Sequence, residues 1–89
     1  MADGFAQIKA RYIATFAQKQ ADLKVAWDNK DIPQLHSLLH KLSGSSGGYG
    51  FNGLCALCQQ ATTLTAKNTD IKLEQLEVFL QKIYVELQL

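Results

Sequence analysis

Two histidines, two cysteines and one run of glycines and serines are the residues of this 89-residue chain whose types and spacing bear on chemistry. His40 is the most informative of them. Wound as an α-helix at about 100° per residue, residues 33 to 47 place Leu35, Leu38, Leu39 and Leu42 within an arc of about 100°. His40 then lies about 150° from the centre of that arc, on the face turned to water. Pro33, Ser37, Gly44 and Gly47 share its face, and His36 and Ser43 lie to one side. A solvent-facing helix surface is normally filled by Glu, Lys, Gln and Arg. Here small residues surround an imidazole, and the face looks cleared for a flat partner. Gly44 strengthens that reading, because a glycine inside a helix costs about 1 kcal/mol relative to alanine. An imidazole is largely neutral near neutral pH and keeps one nitrogen lone pair free for attack. Attack on a phosphoryl group gives a phosphohistidine, whose labile N–P bond lets the group pass on to a carboxylate. The chain carries no general base, metal cluster or nucleotide fold to run such chemistry alone, so His40 reads as a nucleophile waiting for a partner.

The other candidates resolve into structural roles. Cys55-Ala56-Leu57-Cys58 has the spacing of a redox pair or half a zinc site. A thioredoxin-like pair needs a strand before its helix, and a zinc site needs two further ligands. Inside an amphipathic helix the two thiols occupy i and i+3 and read as core fillers. His36 and His40 stand at i and i+4, a spacing that can chelate a metal. His36 lies toward the flank and no acidic residue falls in the same turns, so His36 reads as a partly covered rim residue, and no metal is expected. Gly44-Ser45-Ser46-Gly47-Gly48-Tyr49-Gly50 lacks the Gly-Lys-Ser/Thr ending and the preceding strand of a phosphate loop.

Composition narrows the class. Apolar residues make up 47% and charged residues 19%, the balance of a globular chain with one modest core. The formal net charge of +1 argues against a dedicated nucleic-acid binder. No apolar run approaches the roughly 20 residues that span a bilayer, and the first residues lack a basic-then-apolar leader pattern. A cytoplasmic, monomeric, single domain over residues 1–89 is expected, and two reduced thiols fit that compartment.

The elements that position His40 follow from periodicity. Phe5, Ile8, Tyr12, Ile13, Phe16, Leu23 and Trp27 predict one long amphipathic helix over about 4–28. Asp31 caps a second helix from about 32 to 47, with Gln34 completing a capping-box pattern and Pro33 tolerated in the first turn. Gly47, Gly48 and Gly50 end it. Asn52 caps a third helix over about 53–66, with Leu54, Leu57, Cys58, Ala61 and Leu64 inward. Lys67-Asn68-Thr69-Asp70 is a turn, with Thr69 or Asp70 capping the last helix over about 71–88. That helix is expected to bury Leu73, Leu76, Phe79, Leu80, Ile83 and Leu87. Short turns make neighbours antiparallel, so the predicted fold class is all-α, an antiparallel up-down four-helix bundle.

His40-Lys41-Leu42-Ser43-Gly44-Ser45-Ser46-Gly47-Gly48-Tyr49-Gly50-Phe51 resembles the signature of histidine-containing phosphotransfer (HPt) domains. The match holds at His40, Leu42, Gly44, Ser45, Ser46, Tyr49, Gly50 and Phe51. The flanks Asp31-Ile32-Pro33-Gln34-Leu35 and Leu54-Cys55-Ala56-Leu57-Cys58 also look like the family's. The resemblance implies a four-helix bundle in which His40 takes a phosphoryl group from a receiver-domain aspartate and hands it to another. It implies a docking rim of His36, Ser37, Ser43, Gly44 and Gly47. It also implies a response-regulator receiver or hybrid sensor kinase as partner, Mg²⁺ on that receiver and no cofactor on this chain, which would act without turnover of its own. Many members carry a lysine or arginine at the Ser43 position, where it can stabilise the added charge. Lys41 points about 100° from His40 and is a poor substitute, so a shorter-lived phosphohistidine is expected here. The competing reading is an interaction module that docks a receiver or helix through the same face without phosphorylation, with Tyr49 and Phe51 as exposed contacts.

Overall fold

A computed structural model of the chain describes residues 2–66 and 72–88. The described residues are helical apart from short connections and contain no strand. Five helical segments follow one another: α1 (Ala2–Ala14), α2 (Phe16–Asp28), α3 (Ile32–Gly48), α4 (Asn52–Leu64) and α5 (Leu73–Glu86). α1 and α2 together replace the single N-terminal helix expected from periodicity. The break at Thr15 has a local cause. Its backbone N–H bonds the Tyr12 carbonyl, three residues back rather than four, at 2.9 Å. Its hydroxyl donates to the same carbonyl at 2.6 Å. Such side-chain bonding to the preceding turn competes with the helical ladder and bends it.

α3 carries the site, and both of its ends are set by local chemistry. The Asp31 side chain accepts from the Gln34 N–H at 3.3 Å, with Pro33 in the first turn. The reciprocal half of a capping box is missing: the Asp31 N–H goes instead to the Ala26 carbonyl at 2.9 Å, which ties α3 to the end of α2. At the other end the helix runs through Gly47 to Gly48 with Tyr49 as C-cap, and Gly50 just beyond it has a φ of +85°. The Gly50 N–H bonds the Gly47 carbonyl and the Phe51 N–H bonds the Ser46 carbonyl. This pair of bonds is a Schellman motif, and glycine fills its left-handed position because it has no Cβ to clash. The reversal delivers Phe51 as N-cap of α4, one residue before the expected Asn52 and without a side-chain cap bond. Lys72 is the N-cap of α5. Thr69 and Asp70, the caps expected there, lie outside the described residues.

The core lies along α3. Leu35, Leu39 and Leu42 pack with Phe16 and Leu23 of α2, Leu54, Cys58 and Ala61 of α4, and Leu76, Leu80 and Ile83 of α5. α3 packs against α4 and α2, and α4 packs against α5. The expected apolar stripes extend further than this core does. Phe5 and Ile8 of α1 and Leu73 of α5 are exposed, because no described helix runs far enough to cover them. Tyr84, absent from the expected core, is buried in their stead. No described helix is long and apolar enough to cross a membrane.

Candidate functional site

His40 sits near the middle of α3 on its exposed surface. Gly44, one turn on, is exposed as well, and a Cβ built on it would meet nothing within 4 Å. Ser37 is half-buried. The cleared face read from the sequence is therefore present around His40. The expected rim residues are not equivalent, however. Ser43 is only 8% exposed, and its hydroxyl donates to the His40 carbonyl at 2.8 Å. It supports the helix from inside and offers a partner almost no surface, which corrects its place on the rim. Gly47 is exposed on one side, but a Cβ on its other side would stand 3.2 Å from Cys55 Sγ. It serves close packing of α3 on α4.

His36 has a defined role. Its Nδ1 lies 2.9 Å from Thr65 Oγ1. The single Thr65 hydroxyl proton faces the Thr62 carbonyl at 2.9 Å and the Ala61 carbonyl at 3.4 Å. This contact ties His36 to the C-terminal end of α4, where Thr65 is the C-cap. The His36 and His40 rings are parallel with centroids 6.4 Å apart. Among the described residues no group of three or more His, Cys, Asp or Glu side chains is placed to hold a metal.

The end of α3 is locked by aromatic rings that periodicity alone did not bring together. Tyr12 stacks on Tyr49 with centroids 4.2 Å apart, and Phe51 packs edge-on against Phe16. The Tyr12 hydroxyl and Ser45 Oγ are 2.6 Å apart. Burial raises the Tyr12 phenol above its ordinary value, against a smaller lowering from the Ser45 bond. Tyr49 and Phe51 are thus packing residues of the helix end, not the exposed contacts of the competing reading.

The thiols are both free. Cys58 is fully buried, and burial, with a smaller contribution from Cys55, pushes it up to about 12. A thiol held protonated in this way is inert as a nucleophile, in keeping with core filling.

The sequence reading did not find the groove between α2 and α3. Leu23, Leu38 and Leu42 line it, together with Lys19, Asp22, Lys41 and Ser45. Its parts come from two helices, and no spacing within either one announces it.

The family model described as Hpt domain matches residues 7–88, nearly the whole chain. The chain belongs to the Hpt domain family. Comparison with curated proteins and with solved structures finds no significant match. Membership makes this chain a histidine phosphotransfer module of phosphorelay signalling. Hpt domains carry phosphoryl groups and work with receiver domains and kinases.

Proposed function

We propose that His40 is the phosphoryl acceptor of this Hpt domain, receiving the group from a receiver-domain aspartate and passing it to another receiver. The observation that carries the reading is the exposed His40 beside the open Gly44 on one surface of α3. In the transfer, the lone pair of the unprotonated His40 nitrogen forms the N–P bond. The acyl phosphate O–P bond breaks, and its electron pair returns to the aspartate carboxylate. The reverse steps deliver the group to the next aspartate. Catalysis of such transfers is chiefly positioning and charge neutralisation. The receiver supplies Mg²⁺, and this chain contributes a nucleophile on a rigid helix and holds no cofactor of its own. His36, Ser37, Gly44 and the outer side of Gly47 form the docking rim, with Ser43 beneath it.

In this reading the chain acts as a carrier without turnover, as one up-down four-helix domain over residues 1–89, monomeric and cytoplasmic. Nucleic acid is not a partner. Ser43 stands where many family members have a basic residue, and no other basic side chain of α3 shares the His40 face, so the phosphohistidine is short-lived.

The test is incubation with a phosphorylated, Mg²⁺-loaded receiver domain, reading the mass of wild type, His40→Gln and His36→Gln. An acid-labile phosphoryl gain is expected in wild type and His36→Gln and not in His40→Gln. Gain surviving in His40→Gln would show a different nucleophile. Receiver binding without gain in any protein would favour a docking module.

A further inference from the structure

His36 and His40 stand one turn apart on α3, and their rings are parallel within 1° with centroids 6.4 Å apart. From the sequence the pair looks too divided to share a ligand, with His36 toward the flank. The fold shows what holds His36 there. Its Nδ1 is tied to Thr65 Oγ1 at 2.9 Å, so Nε2 is the nitrogen left for a ligand. Thr65 is itself buried and anchored, with its hydroxyl donating to the Thr62 carbonyl at 2.9 Å. A metal-bound imidazole nearly always has its second ring nitrogen held by a neighbouring polar group, which fixes the ring and its tautomer. With a metal on Nε2 the proton of His36 sits on Nδ1, and Thr65 Oγ1 is placed to accept it. His36 therefore has the support of a metal ligand already built around it.

His40 supplies the second nitrogen and the freedom to move. It is exposed, and the space over Gly44 one turn on is open. Metal–nitrogen bonds of about 2.0–2.1 Å require the two rings to close by about 1–2 Å. A turn of the exposed His40 side chain provides this while His36 stays on Thr65. Lys41, the one basic residue of α3 besides the histidines, lines the groove toward α2 and does not repel a cation here. Two ligands fall short of the three or four that proteins give a permanent zinc ion, so water fills the other positions and the ion exchanges. Two neutral imidazoles without a carboxylate suit Cu²⁺, Ni²⁺ and Zn²⁺. Mg²⁺ takes oxygen ligands, so the ion that serves a receiver does not compete for this pair.

We propose that His36 and His40 form a two-point site for a divalent transition-metal ion, and that an occupied site blocks phosphorylation of His40. A neutral imidazole has a single nitrogen lone pair in its ring plane. In the metal-bound state that pair forms the metal–nitrogen bond and is not free to form the N–P bond; release of the ion restores it. The site stands on its own geometry, and the block on transfer rests on the phosphotransfer reading above.

The experiment titrates the untagged protein with Ni²⁺ and with Zn²⁺ by calorimetry, in wild type, His36→Gln, His40→Gln and Cys55→Ala, with helical circular dichroism confirming each fold. Each histidine variant should bind at least tenfold more weakly than wild type, because the second bond of a chelate is intramolecular. Cys55→Ala should stay within threefold of wild type. Histidine variants within threefold of wild type, or a tenfold loss in Cys55→Ala, would overturn the site. Transfer from a phosphorylated, Mg²⁺-loaded receiver is then measured with and without Zn²⁺, each protein against itself. Zn²⁺ should slow wild type at least tenfold at a concentration that slows His36→Gln less than threefold. Equal slowing of both would place the effect on the receiver and overturn the block. A wild type that binds the ions but accepts no phosphoryl without them would overturn the phosphotransfer reading and leave the metal site standing.

Discussion

α3 meets its two neighbours in opposite ways. Toward α4 the contact is close and made by small groups: Gly47 lies against the Cys55 sulfur, His36 bonds Thr65, and Cys58 and Ala61 are fully buried. Toward α2 the helices leave a groove lined by leucines and edged by lysines. His40 stands on the surface between them. One flank therefore fixes the position of the helix that carries the imidazole, and the other is left open. The difference teaches that a small helical domain can be tightly packed on one side of the helix that carries its exposed histidine and open on the other, so that the two flanks differ in how much a substitution disturbs the core.

The largest expected effect tests the closed side through pH. Burial pushes Cys58 and Tyr84 both up to about 12, with smaller contributions from Cys55 and Asp28 respectively. As pH rises through the ordinary thiol and phenol ranges, the unfolded chain releases these protons while the folded chain retains them. The folded state then binds more protons, so stability falls with rising pH. Stability is expected to be level near neutrality and to decline steadily from about pH 9 to about pH 12. Urea titrations across that range check it. Cys58→Ala should remove the early part of the decline, near pH 9 to 10, and a slope unchanged in Cys58→Ala would refute the assignment.

Much of this was legible in the sequence where the physics is local. The Asp31 cap, the exposed face of His40 and the glycine-driven end of α3 depend on residues within a few positions of one another. The end of α3 was placed at Gly47, and only the Schellman bonds single out Gly50 as the residue in the left-handed region. The break at Thr15 stayed hidden because no proline or glycine announces it; a threonine hydroxyl turned back on Tyr12 does so only in the folded chain. Phe5, Ile8 and Leu73 continue apolar stripes, yet a stripe says which face is apolar and not how far the neighbouring helices extend. Ser43 belongs to the rim by the family resemblance, whereas in the fold it is buried with its hydroxyl turned back to the His40 carbonyl. The groove could not be read at all, since Leu23 and Lys19 reach Leu38 and Lys41 only through tertiary packing.

Substitution of size on the two flanks is the next test. Ala61 is fully buried against the closed side. Ala61→Leu inserts volume where nothing can move aside and is expected to destabilise by about 1–3 kcal/mol. Leu38 is half-buried at the groove, and Leu38→Ala should cost less than the roughly 2–5 kcal/mol of a fully buried leucine. Unfolding midpoints with unchanged m-values would measure both. A Leu38→Ala loss as large as that of Leu39→Ala, whose side chain is fully buried, would mean that the groove is closed in solution.

Two buried tyrosines give a smaller contrast. Tyr12 shares a 2.6 Å hydrogen bond with Ser45 beside the groove. Tyr12→Phe should cost about 0.5–1.5 kcal/mol. The Tyr84 hydroxyl has no hydrogen-bond partner among the described residues, so Tyr84→Phe should be neutral or slightly stabilising. Reversal of that order in thermal unfolding would place the important phenol contact at α5 instead of at the end of α3.

The finest test uses two exposed glycines that follow His40 on α3. A Cβ at Gly44 meets open space, whereas one at Gly47 comes to 3.2 Å from Cys55 Sγ. Both positions lie within α3, so alanine lowers the cost of ordering the helix at each, by about 0.5–1 kcal/mol. At Gly44 the whole gain should appear in the unfolding free energy. At Gly47 it should be diminished, because the sulfur must shift by a few tenths of an ångström. Placing Gly47→Ala in a Cys55→Ala background removes the obstacle. The double-mutant cycle should therefore show a coupling between positions 47 and 55 and none between 44 and 55. Receiver binding supplies the second axis: if the clear space over Gly44 exists for docking, Gly44→Gln should leave the fold intact and block transfer to His40. Undiminished transfer in Gly44→Gln would show that the space beside His40 is not part of the docking surface.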